Sequence, residues 1–265
     1  MNIRTLLTRF PSHVLDLLRD AGMCAEKMGF PSFAVGGLVR DLFLGVDNSD
    51  VDIVIEGDGL TFASRFSADH GARLITYEKF GTAHLFFQNG IEIDVATARI
   101  ETYERPAALP VVKPGSIRDD MFRRDFSINT LAFSLNPDRF GELLDLFHGR
   151  DDIRKRLIRV LHKRSFVDDP TRIFRAVRFE KRLDFRIEDA TEELINNAVQ
   201  KGFVGKLSGH RVASELRYIL AERNPMLPAA RLDDLGVLSA VAGTAEKHKE
   251  VKKLLHRIHE MRLVV

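Results

Sequence analysis

Residues 36–55 read GGLVRDLFLGVDNSDVDIVI. The glycine pair at 36–37 follows the apolar run 33–35 and precedes apolar residues with helical spacing, which predicts a strand, a tight turn and a short helix. The DVD motif at 50–52 leads into alternating apolar residues, which predicts that a strand begins at the acidic pair. This stretch therefore predicts an α+β fold for the first half of the chain.

The sequence on either side of this segment continues the mixture of helical and strand periodicity. Asn89-Gly90 between two alternating apolar runs is typical of a β-hairpin. Three prolines and a Pro-Gly pair within 99–117 predict a long loop, and loops of that length in compact domains are usually functional. The other predicted elements are helices at 11–28 and 59–70, strands at 72–77, 84–88 and 91–97, and helices throughout from about residue 118.

The 265-residue chain distributes its charge unevenly, although its formal net charge is only +2. Residues 31–110 contain 12 Asp/Glu against 6 Lys/Arg, whereas residues 150–186 contain 13 Lys/Arg against 6 Asp/Glu. This pattern suits a metal site beside a polyanion-binding surface, and two solvated surfaces of opposite charge explain it equally well. Cys24 is the single cysteine, which excludes an internal disulfide and a CxxC metal site and fits a reducing, cytoplasmic setting. No apolar run approaches the roughly 20 residues that span a bilayer.

The pair Asp50 and Asp52 carries the strongest chemical signal. Because side chains alternate along a strand, both carboxylates lie on one face, and their repulsion favours a divalent cation between them. Oxygen ligands suit Mg²⁺, with Mn²⁺ as an alternative, and two such ions can promote an in-line displacement. Asp94 on the later hairpin strand is the predicted third ligand, and Glu92 on the same face is the alternative. Taken alone, a DxD motif is more often a pair of surface acids.

Two other features suit phosphate. The backbone N–H groups of Gly36 and Gly37 at a helix start can cradle a phosphate, although a tight turn alone also explains the glycines. If 170–186 is one helix, its five arginines fall within an arc of about 120° and are backed by apolar residues. Such a stripe can contact nucleotide phosphate or RNA, and a solvated basic face is the simpler alternative. The arginines of the stripe are Arg172, Arg175, Arg178, Arg182 and Arg186.

Four later segments complete an ordered set of motifs with 36–55. They are RRDFSIN at 123–129, the stretch 145–162, DDPTRIFRAVRF at 168–179 and the stretch 207–216. The set resembles the family of tRNA CCA-adding enzymes and bacterial poly(A) polymerases, class II of the polymerase β-like nucleotidyltransferases. In order, these segments are similar to its RRDFTIN motif, the entry to its neck, its EDPxRxLRAxRF helix and its SxxRxxxEL motif.

The resemblance implies an enzyme that adds nucleotides to an RNA 3′ end without a template and releases pyrophosphate. It implies a polymerase β-like head at 1–147, a helical neck with a nucleotide-reading helix at 148–206 and an incomplete helical body at 207–265. The chain is accordingly expected to be a piece of a longer protein. The implied metal ligands are Asp50 and Asp52, and the implied nucleotide contacts are Gly36, Gly37 and Arg40 to the triphosphate, Arg123 and Arg124 to phosphate, and Asp125 and Asn129 at the sugar.

The motif at 168–172 resembles the family's nucleotide-reading EDxxR. A carboxylate of Asp168 or Asp169 can accept from the exocyclic amine that adenine and cytosine share, while Arg172 donates to the adjacent ring acceptor. Arg175 and Arg178 are carried on the same helix. Asp168 departs from the family, which often has Glu at that position.

The sequences of residues 167–179 and 207–216 are most similar to those of the A-adding branch of the family. We therefore expect addition of AMP from ATP to a tRNA 3′ end, with CTP as a second substrate if the enzyme adds CCA. CCA addition and poly(A) synthesis stay open, and the long loop at 99–117 argues against CC-only addition. Outside this activity, the alternatives are a non-catalytic RNA-binding module and AMP transfer to a small molecule or protein. The sequence predicts no oligomeric state.

Overall fold

The computed structural model describes residues 6–48, 50–245 and 249–263. A seven-stranded sheet organises its first part, and two two-stranded sheets accompany it. In chain order the strands are β1 (Ser32–Val35), β2 (Val51–Ile55), β3 (Arg73–Tyr77), β4 (Thr82–Phe86), β5 (Glu92–Thr97), β6 (Arg99–Thr102), β7 (Val111–Pro114), β8 (Ala132–Ser134), β9 (Leu143–Leu144), β10 (Leu157–Ile158) and β11 (Arg186–Ile187).

Helices connect these strands and make up most of the later part of the described chain. They are, in chain order, α1 (Ser12–Lys27), α2 (Gly37–Leu44), α3 (Gly59–His70), α4 (Ile117–Phe122), α5 (Gly149–Lys155), α6 (Ser165–Asp168), α7 (Thr171–Leu183), α8 (Asp189–Gln200), α9 (Gly209–Leu220), α10 (Met226–Asp234), α11 (Val237–Ala245) and α12 (Lys249–Leu263). None of the described helices is long and apolar enough to cross a membrane.

The large sheet has the strand order β3-β4-β5-β2-β1-β8-β9. Its central pair, β2 and β5, is parallel, and the other neighbouring pairs are antiparallel. The parallel register aligns Asp52 with Asp94. Because side chains of aligned residues project from the same face, the sheet topology brings these two carboxylates together.

Different helices pack against the two faces of the large sheet. Helices α1 and α3 pack against it, and buried residues of β4 and β5 such as Leu85 and Val95 alternate with more exposed ones. On the face that Asp52 shares with Val54, α4 inserts Ile117 and Met121 into an apolar cluster. This packing sets the end of α4 beside the acidic end of β2.

The α+β class and the predicted elements before residue 98 are confirmed, but two expectations for later segments are wrong. Strands β8 and β9 follow residue 118 and complete the large sheet, although helices were expected there. Short runs such as Ala132–Ser134 have no distinguishing periodicity, so only pairing with β1 identifies them. The expected loop at 99–117 contains the paired strands β6 and β7; Pro110 and Pro114 lie at the two ends of β7, and Pro106 lies in the connection between the strands.

The chain forms two compact units. The first comprises residues 1–101 and 112–154, and the second comprises 102–111 and 155–265. In the second unit, α7 packs with α9 and α10, and β10 pairs in parallel with β11. The predicted helix at 170–186 ends earlier, at Leu183, because Asp184 adopts a left-handed conformation with φ 54°.

Candidate active site

The glycine turn, Asp52 and Arg124 meet in the first unit. Gly36 ends β1 with φ 71° and ψ −128° and caps the N-terminus of α2. A Cβ atom on Gly36 would lie 2.7 Å from Nη1 of Arg124 and 3.7 Å from Oδ2 of Asp52. The first N–H groups of a helix have no intrahelical acceptor, so this helix start can bind an anion. The structure thus places an anion-binding turn, a guanidinium and a carboxylate side by side.

Asp52 lies half-buried on β2, and Asp50 lies exposed immediately before that strand. Burial raises the pKa of Asp52 to about 6; the Arg124 guanidinium opposes this, and the nearby Asp94 and Asp50 carboxylates add to it. A carboxylate whose charge is disfavoured by burial and by its acidic neighbours is stabilised by a cation. The donor set therefore fits a hard divalent ion such as Mg²⁺.

Asp94, the predicted third ligand, is hydrogen-bonded through Oδ1 to Nδ1 of His84. Its alternative, Glu92, is 3.0 Å from Nε2 of the same imidazole. Within the described ranges, no three His, Cys, Asp or Glu side chains converge as a metal-binding group. The assignment of Asp50, Asp52 and Asp94 as joint ligands therefore stays a prediction.

Arg123 and Arg124 are both anchored by Asp120, which is fully buried on α4. Arg123 donates to Oδ1 of Asp120 at 2.6 Å and also to Glu101, while Arg124 donates to Oδ2 at 3.0 Å. Burial opposes ionisation of Asp120, but the two guanidinium groups outweigh it and lower its pKa. One carboxylate thus holds both arginines at the end of α4.

Replacing Asp120 by asparagine is expected to destabilise the first unit by about 3–5 kcal/mol, the usual cost of breaking a buried ion pair on one side. Thermal unfolding followed by circular dichroism measures the loss. Glu142→Gln, which breaks an exposed ion pair with Arg139, is the matched control and should leave the melting temperature close to that of the wild type. Equal melting temperatures for the two variants would contradict the role given to Asp120.

Arg40 is only 6% exposed and belongs to a buried polar network. It donates to both carboxylate oxygens of Asp41, at 2.7 and 2.9 Å, and to the side-chain oxygen of Asn129 at 2.7 Å. Asn129 in turn donates to Asp125 at 3.0 Å. These hydrogen bonds link α2 to the segment after α4. The network therefore helps to fix the position of the glycine turn at the start of α2. A direct contact of Arg40, Asp125 or Asn129 with a nucleotide stays a prediction.

In the second unit, Asp169 precedes α7 and accepts three hydrogen bonds through Oδ1. The donors are the backbone and hydroxyl of Thr171, at 3.0 and 2.6 Å, and Nη2 of Arg211 at 2.6 Å. Arg172 is buried and donates to the hydroxyl of Ser165 at 2.9 Å. Asp168 accepts from Arg164 at 2.8 Å. The predicted base-reading residues are therefore rigidly held.

The expected arginine stripe on α7 is only partly present. Arg178 is buried over the ring of Tyr218 and lies 3.7 Å from Glu215, and burial lowers its pKa. Arg182 pairs with Glu222, and Arg186 belongs to β11 rather than to the helix. Helical periodicity placed these residues on one face, but it does not reveal acidic partners on other helices. Arg175 is half-buried, with its guanidinium 5.5 Å from the ring centroid of Phe179.

Three residues that position others were not singled out from the sequence as site residues. Asp120 precedes Arg123 and Arg124 by three and four positions, a helical spacing that signals ion pairs. Arg211 lies in the stretch 207–216, which resembles the SxxRxxxEL motif, and it donates to Asp169. His84 has no metal-ligand spacing in the sequence. Its contacts with the carboxylates depend on strand register, which the sequence does not state.

Comparison with known proteins identifies the family to which the chain belongs. Residues 32–159 match the Poly A polymerase head domain family. The chain is 46% identical over 252 residues to the A-adding tRNA nucleotidyltransferase of Geobacter sulfurreducens, covering 92% of this chain and 29% of that protein. It is 40% identical to the A-adding enzyme of Halalkalibacterium halodurans, covering 86% of this chain and 54% of that protein. The chain belongs to the tRNA nucleotidyltransferase and poly(A) polymerase family.

A solved structure supports the same family assignment. The Thermotoga maritima CCA-adding enzyme complexed with tRNA is 42% identical and superposes with a TM-score of 0.81, over 91% of this chain and 55% of that chain. The mixed sheet and the helices of this nucleotidyltransferase family member therefore form the fold that the family resemblance implied. The chain spans about half the length, or less, of the relatives it matches.

Proposed function

We propose that this chain is the nucleotidyltransferase part of an enzyme that adds AMP to the 3′ end of a tRNA. The observation that carries the proposal is the meeting of Asp52, Arg124 and the Gly36 turn, in which a carboxylate suited to a metal ion lies beside a helix start suited to phosphate. The names of the A-adding relatives support the choice of AMP and of tRNA. The single cysteine is in keeping with a cytoplasmic location, which also belongs to the proposal.

The reaction is a direct in-line displacement. The RNA 3′-hydroxyl releases its proton to solvent as its oxygen forms a bond to the α-phosphorus of ATP, the bond between the α-phosphorus and the bridging oxygen breaks, and pyrophosphate leaves. The backbone N–H groups after Gly36 hold the triphosphate, and the Arg124 guanidinium neutralises part of its charge. Asp120 keeps Arg124 in place at 3.0 Å, so the guanidinium needs no reorganisation during the reaction.

Asp50 and Asp52, with Asp94, would hold Mg²⁺, which would supply charge neutralisation and Lewis acidity when bound. The protein groups supply position. Asp52 is fixed on a central strand whose neighbours on both sides are hydrogen-bonded to it. A rigid strand holds a ligand more firmly than a loop does. Because the RNA 3′-hydroxyl attacks ATP directly, the chain needs no nucleophile of its own.

Asp169 and Arg172 read the base in this proposal. A carboxylate that accepts from the exocyclic amine, beside a guanidinium that donates to the ring, selects adenine and cytosine over guanine and uracil. The bonds from Arg211 to Asp169 and from Arg172 to Ser165 fix both groups before a base arrives. Rigid polar groups that a wrong base leaves unpaired give strong discrimination.

A second candidate is addition of the whole CCA end. It is favoured by the similarity to the Thermotoga maritima CCA-adding enzyme at 42% identity. Since adenine and cytosine share the edge that Asp169 and Arg172 recognise, the same residues suit both ATP and CTP.

Incubation with Mg²⁺, labelled ATP or CTP, and tRNAs ending before CCA, in C or in CC separates these functions. We expect the chain to add a single AMP to the tRNA ending in CC and to add no CMP. Incorporation of CMP onto the shorter tRNAs would instead indicate CCA addition, and long A tails would indicate poly(A) synthesis. RNA binding without extension, or label on a molecule other than RNA, would overturn the proposal.

A further inference from the structure

His84 joins two carboxylates beside the proposed metal site. It lies on β4 in register opposite Asp94 on β5, so both side chains project from one face of the sheet. Its Nδ1 is hydrogen-bonded to Oδ1 of Asp94, and its Nε2 lies 3.0 Å from Oε2 of Glu92. The next residue across the sheet from Asp94 is Asp52. The imidazole therefore lies on the strand next to that of Asp94 and two strands from that of Asp52.

The imidazole of His84 is itself held in place. Its ring centroid lies 4.3 Å from that of Phe86, two residues along the same strand. Arg73 on β3 stacks its guanidinium 4.3 Å from the centroid of Phe86. This row of side chains limits rotation of the imidazole, so the direction of its hydrogen bond to Asp94 is fixed.

A purely structural role explains these contacts poorly. The side chains of Asp94 and Glu92 are 60% and 59% exposed, and ion pairs of exposed carboxylates contribute little to stability. A hydrogen bond that contributes little to folding can still fix the orientation of a carboxylate. The contact to Oδ1 leaves Asp94 able to present Oδ2 to an ion held by Asp52.

We propose that His84 is a positioning residue that orients Asp94 as a metal ligand through a hydrogen bond to Oδ1. The inference rests on the proposed function, because it takes Asp94 as a ligand of Mg²⁺. Partners that orient metal ligands usually change metal affinity by about ten- to a hundredfold when they are removed. Loss of His84 is therefore expected to weaken metal binding by that factor without unfolding the protein.

Binding of Mn²⁺ alone, followed through the electron paramagnetic resonance signal of the free ion, tests this without catalysis. His84→Leu keeps the volume and removes both hydrogen bonds, and we expect its affinity for Mn²⁺ to fall by about ten- to a hundredfold. His84→Asn keeps a side-chain N–H near the place of Nδ1 and should restore most of the affinity. Ile75→Thr, at the exposed position paired with His84 on β3, is the matched control and should bind as the wild type does.

The outcomes separate this inference from the function on which it rests. Unchanged Mn²⁺ affinity in His84→Leu, or equal weakening in His84→Leu and His84→Asn, overturns the positioning role. Asp52→Asn and Asp94→Asn are measured alongside. If neither changes Mn²⁺ binding, the metal site itself is wrong, and both the inference and the proposed function fail. In active preparations, the positioning role also predicts a higher Mg²⁺ requirement for His84→Leu at an unchanged KM for tRNA.

Discussion

Replacing Asp52 by asparagine is expected to abolish nucleotide addition while leaving the protein folded. A metal ion contributes several kcal/mol to stabilisation of the transition state, so its loss lowers kcat by at least about a hundred- to a thousandfold. In the metal-free protein, burial and the neighbouring carboxylates disfavour the charge of Asp52 and raise its pKa to about 6. The variant should therefore melt no lower than the wild type in the presence of a chelator.

The measurement is single-turnover extension of a tRNA ending in CC, with thermal unfolding measured on the same preparations. Asp69→Asn is the matched control, because Asp69 is an exposed acid on α3 that pairs with Arg65. Its extension rate should equal that of the wild type. Retention of activity by Asp52→Asn, or an equal loss in Asp69→Asn, would remove Asp52 from the mechanism.

Gly36→Ala is expected to have the second-largest effect, because the added methyl group would enter the space between Arg124 and Asp52. Its Cβ atom would lie 2.7 Å from Nη1 of Arg124, which must move away. Displacement of a catalytic group by about 1 Å can cost about a hundredfold in rate. The positive φ of 71° adds about 1–3 kcal/mol of backbone strain for alanine. Both activity and stability should fall.

Gly29→Ala separates these two effects. Gly29 also has a positive φ, 74°, but a Cβ atom there would contact nothing within 4 Å. The control should lose stability without losing activity, as measured by thermal unfolding and by tRNA extension. If Gly36→Ala extends tRNA as fast as Gly29→Ala does, close approach of the turn to Arg124 and Asp52 is unimportant for function.

Local chemistry made much of the first unit predictable. Gly36-Gly37 could only be a turn between a strand and a helix, and Asn89-Gly90 set the hairpin that carries Asp94. The pairing of Asp52 with Asp94 followed only in outline, since the parallel register of β2 and β5 is a long-range feature. Family resemblance, more than periodicity, joined these segments into one expected site.

Long-range pairing explains most of what the sequence did not show. Residues 132–134 form a strand because β1 offers them an edge, and three residues are too few for a periodic signal. The predicted arginine stripe on α7 contains Arg178, whose partners Glu215 and Glu222 lie more than thirty positions away. A helical wheel displays a face of one helix but not the residues of others that cover it.

Positioning residues were the hardest to predict, because their role is defined by contacts. Asp120 is an ordinary acid in the sequence, and only its complete burial between two arginines shows its importance. His84 has no metal-ligand spacing in the sequence that would single it out. The register between β4 and β5 places His84 beside Asp94, and spacing along the sequence does not reveal that register.

Equilibrium binding of ATP to the 265-residue chain, measured by calorimetry with Mg²⁺ and with a chelator, tests the central claim most directly. If the triphosphate binds at the Gly36 turn with an ion held by Asp52, binding should be strong in Mg²⁺. It should be weakened both by the chelator and by Asp52→Asn. Binding of equal strength with and without Mg²⁺, unaffected by Asp52→Asn and Gly36→Ala, would show that the nucleotide binds elsewhere.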